Sequence, residues 1–117
     1  METRNYINGR FIESLSKRKI LVLNPADQSN VGFVDEALGE EIDLAFAAAL
    51  TAYNKRVLQD MDAAEKSKMM RFIASKLREY TTYGSELLSK ENGKSIEQCV
   101  GEFEGAAAIF DYYAGLT

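Results

Sequence analysis

Through the first third of the chain the apolar positions follow a strand-like pattern. Asn5-Tyr6-Ile7 and Arg10-Phe11-Ile12 flank the pair Asn8-Gly9. Asn-Gly tolerates the positive φ values of a type I′ turn, so these residues predict a two-residue β-hairpin. A second pair of strands is expected over Lys19 to Leu23 and Val31 to Val34. Between them Asn24-Pro25-Ala26-Asp27 should turn, because proline fixes its own φ and pushes Asn24 away from the helical region.

From Gly39 onward the period becomes helical. Ile42, Ala45, Phe46, Ala49 and Tyr53 form one stripe of an amphipathic helix, which Val57 to Met61 interrupts. Asp62 can cap the next helix, with Glu65 in the reciprocal position, and Met69, Ile73, Leu77 and Tyr80 make its buried stripe. Tyr83-Gly84 reads as a bend or break before a short helical piece from Glu86 to Glu91. Gly93 suits a left-handed helix stop, and Ser95 with Gln98 opens a last helix whose stripe is Val100, Phe103, Ala107 and Phe110. Gly101 and Gly105, with Ala106 to Ala108, suggest close helix packing. The expected architecture is α+β: two N-terminal antiparallel hairpins, then about three main helices. Residues 1–37 carry the strands and 38–117 a helical layer, and with no linker or repeat in view 1–117 reads as a single unit.

Composition narrows the function. The 117 residues are 46% hydrophobic and 27% charged, as in ordinary globular domains. A net charge of −4 and a pI near 4.9 argue against nucleic acid or an anionic membrane as partner, since both call for clustered Lys and Arg. No apolar run approaches bilayer-spanning length and no hydrophobic signal core follows Met1, so a cytoplasmic setting is expected. The single cysteine, Cys99, cannot form an internal disulfide, which suits a reducing compartment. Histidine is absent, and with it the commonest general base and transition-metal ligand. Cys99 lies in an acidic helical stretch with nothing to activate a thiolate, so it reads as inert. The acid pairs Glu40-Glu41 and Glu102/Glu104 lack the unequal environments that acid–base work requires, and acids near a helix N-terminus favour its dipole. Lys94 reads as a solvated loop residue.

Four short motifs in order carry a resemblance. Tyr6-Ile7-Asn8-Gly9, Asn24-Pro25-Ala26, Glu91-Asn92-Gly93-Lys94 and Tyr112-Tyr113-Ala114-Gly115 together resemble the N-terminal quarter of an NAD(P)-dependent aldehyde dehydrogenase. Each is weak alone; their order and spacing over nearly the whole chain are what identify the family.

The resemblance implies a parent enzyme that forms a hemithioacetal on a cysteine and passes hydride to NAD or NADP. A glutamate-activated water then hydrolyses the thioester, giving a carboxylic acid. In the family those residues and the dinucleotide loops lie in later sequence, so no catalytic or cofactor-binding residue is assigned here. Gly101 and Gly105 fall within a helix rather than at a strand–helix turn. The chain alone is expected to be inactive and to bind no NAD. The segment would belong to the outer helical layer and edge of an α/β dinucleotide-binding domain. By the same resemblance Val22, Leu23 and Glu102 match positions that hold a structural monovalent cation through oxygen ligands, though Glu stands where Asp is common. Helices shaped to cover a sheet would expose apolar faces, including those of Phe46, Ile73, Phe103 and Phe110. The expected partners are a second copy or a longer dehydrogenase subunit; the alternative role is a non-enzymatic interaction module.

Overall fold

Positive φ at Asn8 (52°) and Gly9 (79°) closes the first hairpin, joining β2 (Asn5–Ile7) to β3 (Arg10–Ile12). This computed structural model describes residues 2–117. The hairpin pairs are Asn5 with Ile12, Tyr6 with Phe11 and Ile7 with Arg10. Strand alternation therefore puts Tyr6 and Phe11 on one face, where their exposed rings meet edge-on at 5.0 Å. Asn5, Ile7, Arg10 and Ile12 share the other.

The second expected pair is also present: β4 (Lys19–Leu23) runs antiparallel to β5 (Asn30–Asp35), with a register shift between Val22 and Leu23. A short strand that the pattern did not reveal, β1 (Glu2–Thr3), adds in parallel to β5 and makes a three-stranded sheet in the order β1-β5-β4.

The chain divides into two compact units. The first comprises residues 1–23 and 29–59: the five strands and α1 (Gly39–Asn54). α1 starts where the helical period begins, but its expected stripe is not buried. Ile42, Ala45, Phe46, Ala49 and Tyr53 are all exposed, Phe46 by 75%. The helical period marks an apolar side of α1, not a covering surface for it within these residues. The fully buried residue of α1 is instead a charged one, Glu41.

The second unit comprises residues 24–28 and 60–117, with α2 (Ala63–Glu79), α3 (Thr81–Asn92) and α4 (Ile96–Ala114). Asp62 caps α2 by accepting from the Ala64 amide at 2.8 Å, and Ser95 caps α4 by accepting from Gln98 N at 3.3 Å. Gly93 ends α3 in the left-handed conformation, φ 76°. α2 and α4 pack antiparallel. Ser67 donates to the Ala114 carbonyl at 2.6 Å near one end of the pair, and Arg78 reaches Asp111 at 2.8 Å and Glu104 at 3.7 Å towards the other. That register sets Ala74 level with Ala107, both fully buried, so the seam is built from small side chains. Met69, Ile73, Leu77, Phe103 and Phe110 are half-buried around it. The expected exposure thus holds for Phe46 but not for Ile73, Phe103 or Phe110.

Two glycine readings change. Gly84 does not break the chain: α3 is continuous from Thr81, and a Cβ at Gly84 would lie 2.1 Å from Phe103 Cζ. Its lack of a side chain lets the α4 ring approach the α3 backbone. Gly101 and Gly105, read as a close-packing pair, are exposed, and a Cβ at either meets nothing within 4 Å.

Candidate functional site

Two of the sequence motifs meet in the second unit. Asn24 Oδ1 accepts from the Ala26 amide at 2.9 Å and its carbonyl accepts from Gln28 N at 2.8 Å, which folds Asn24–Gln28 into a tight turn. Pro25 of this turn packs on Gly93, where a Cβ would come within 2.9 Å of Pro25 Cγ. Gly93 therefore satisfies two demands, positive φ and close approach. The following link is held by side chains: Asn92 Oδ1 accepts from Lys94 N at 3.0 Å, and Ser89 Oγ donates to Lys94 O at 2.7 Å. Lys94 is not a free loop lysine. Its ammonium pairs with the Glu102 carboxylate on α4, and that hydrogen bond, with the charge behind it, raises the Lys94 pKa.

The first unit holds the buried carboxylate. Glu41 is 0% exposed; Oε2 accepts from the Leu38 amide at 2.8 Å and Oε1 from Asn5 Nδ2 at 3.2 Å. The Leu38 N–H lowers its pKa most, burial opposes, and Asn5 with the Leu15 amide and Ser14 adds to the lowering. Beside it Ser14, 5% exposed, donates to the Glu36 carbonyl and shares a 2.9 Å hydrogen bond with Ser16 Oγ. Position in the first turn separates the two acids: Glu41, three residues after Leu38, reaches back to the Leu38 amide, whereas Glu40 stays exposed. The second partner of Glu41, Asn5, is 36 residues away. The signal available was the position of Glu41 in the first helical turn, where a carboxylate can accept from a free amide.

The residues carried over for a cation fall in different units. Val22 and Leu23 lie in β4 of the first unit, where the register shift occurs, and Glu102 lies in α4 of the second. Their oxygens are the right kind for a hard cation. The Glu102 carboxylate is paired with Lys94. No group of three or more Cys, Asp or Glu side chains with metal-ligating geometry occurs among the described residues.

Gly101 and Gly105 are interior to α4, not at a strand–helix turn. Cys99, the one thiol, sits on α4 with 0% exposure. Glu102 pairs with Lys94 and Glu104 faces Arg78, so both carboxylates of that pair serve ion pairs within the second unit.

Comparison with known proteins finds relatives over nearly the whole chain. The model of the aldehyde dehydrogenase family matches residues 11–117. Betaine aldehyde dehydrogenase 1 of Oryza sativa is 31% identical over 115 residues, covering 96% of this chain and 23% of the relative. Aminoaldehyde dehydrogenase 2, peroxisomal, of Pisum sativum is 32% identical over 115 residues, with the same coverage of 96% and 23%. Among solved structures, a betaine aldehyde dehydrogenase from Staphylococcus aureus in complex with NAD+ superimposes with a TM-score of 0.90 at 29% identity, covering 97% of this chain and 22% of that one. The chain thus spans about a quarter of the length of the relatives it matches.

Proposed function

We propose a supporting role for this chain within aldehyde oxidation, proceeding from its family: it belongs to the aldehyde dehydrogenases. Residues 1–117 serve as one part of the scaffold of a dinucleotide-binding domain, and by themselves neither oxidise an aldehyde nor take up NAD or NADP. The observation that carries this reading is the state of Cys99. A nucleophilic thiol needs access and an activating base. Cys99 is fully buried, and the chain contains no histidine. The test is to incubate the purified chain with betaine aldehyde and NAD+ and to follow NADH by its ultraviolet absorbance, with calorimetry for NAD+ binding. No NADH and no isotherm are expected; steady NADH formation overturns the reading.

A second reading, an interaction module that pairs with itself or with a longer dehydrogenase subunit, is favoured by the exposed apolar surface. Phe46 on α1 and Ile109 on α4, 59% exposed, are large side chains that a partner would cover. Light scattering at micromolar concentration tests self-association; a stable monomer with these faces in water counts against it. The unpaired Cys99 fits a reducing compartment and supports a cytoplasmic setting. A fluorescent fusion that accumulates in an organelle would contradict that placement. No helix among the described residues is long and apolar enough to cross a membrane.

A further inference from the structure

The groove between the first hairpin and α1 is not used by any role assigned above. Asn5 and Glu41 join the hairpin to the start of α1, and the hairpin face carrying Ile7, Arg10 and Ile12 continues along the helix. Opposite this face α1 presents Leu44, Ala47 and Ala48. Two of those three are alanines, so the helix does not fill the space that the two isoleucines leave. The result is an open groove of about 300 Å³ with an apolar floor.

Arg10 carries the one formal charge among the described residues lining it. Its guanidinium has no ion-pair partner among the described residues, unlike Arg18, which pairs with Glu36 at 2.6 Å, or Arg78, which holds Asp111. The hydroxyl of Thr51, also on the lining, donates to the Ala47 carbonyl at 2.8 Å and offers its lone pairs to an incoming donor. An apolar trough with an uncommitted guanidinium matches a ligand with a hydrocarbon tail and an anionic head. A carboxylate fits best, because its two oxygens accept the parallel N–H donors of arginine.

We propose that this groove is a binding site for an alkyl carboxylate of short to medium chain length, the tail lying on Ile7, Ile12 and Leu44 and the head on Arg10. The proposal does not depend on the catalytic inactivity argued above, since no residue of the groove enters that argument. Binding would be non-covalent and reversible.

The test uses the whole chain, with methyl-detected NMR titrations of butyrate, hexanoate and octanoate. Saturable shifts are expected at Ile7, Ile12, Leu44 and Ala47, with affinity rising about two- to fourfold per added methylene. Arg10→Ala should weaken octanoate about tenfold or more, Arg10→Lys should restore part of the loss, and octanol should bind the unaltered chain as weakly as octanoate binds Arg10→Ala. Ala47→Phe, which fills the trough and leaves Arg10 in place, should also abolish binding. Arg10 is exposed on its strand, so circular dichroism should show its variants folded. Absence of saturable shifts, equal binding of octyltrimethylammonium, or an Arg10→Ala variant that binds octanoate unchanged would each overturn the assignment.

Discussion

Replacing Gly84 by alanine separates two effects that usually travel together. In an open helix interior the change favours folding by about 0.5–1 kcal/mol, because alanine has less backbone freedom to lose. In α3 the new methyl would sit 2.1 Å from Phe103 Cζ, 2.6 Å from Cε1 and 2.9 Å from Cε2. All three fall below any tolerated contact, so the ring or the helix must move, which puts the penalty near the top of the roughly 1–3 kcal/mol range for overpacking. The net expectation is a loss of about 2 kcal/mol. The cycle is completed in a Phe103→Leu background, which lacks Cζ and both Cε atoms. There Gly84→Ala should be neutral or stabilising by up to about 1 kcal/mol, giving a coupling of about 2–3 kcal/mol between the two positions. Urea unfolding of the four proteins, followed by circular dichroism, supplies the numbers. A Gly84→Ala protein as stable as its parent, or a loss of the same size in both backgrounds, would refute the close approach of α4 to α3.

Three further outcomes follow from the same description. Gly101→Ala and Gly105→Ala meet no neighbour and should each stabilise α4 by about 0.5–1 kcal/mol in urea unfolding; destabilisation would mean that this face is packed after all. Asp62→Ala removes the carboxylate that caps the Ala64 amide and should cost about 1 kcal/mol, while Asp62→Asn should retain most of it. For Glu41 the folded pKa lies below the ordinary carboxylate value, so its contribution is present above the ordinary value and lost as pH falls through the folded one. Thermal melts across the acid range should therefore show a shallower acid-side decline for Glu41→Gln than for the parent; identical slopes would show that the carboxylate is not held as described.

Local chemistry made much of this fold legible. Asn8-Gly9, Asp62, Gly93 and Ser95 each occupy a backbone position that few other residues satisfy, and each does what its type requires. Tertiary demands were invisible. Gly84 looks like a breaker until Phe103 is brought beside it, and Gly101 and Gly105 look like a packing pair until both are found facing solvent. The α1 stripe shows why periodicity falls short: it records that a helix has an apolar side, not whether the covering surface lies in the same stretch of chain. For the candidate site, the Asn-Pro turn and the Gly-Lys link were readable as motifs. That Pro25 rests on Gly93 was not, because 68 residues separate them and each has a sufficient local explanation. Glu41 was legible only in half: its place three residues after Leu38 is local, but the Asn5 side chain that also holds it comes from the hairpin.

The alanines level with one another between α2 and α4 have a consequence for how variation can enter this unit. A methyl group has no rotamers to surrender on folding and none with which to accommodate an intruder. Leucine-rich cores absorb an extra carbon by swinging a neighbour aside, whereas Ala74 and Ala107 can answer enlargement only by parting the helices. The aromatic and methionine fringe around them is where sequence drift has room.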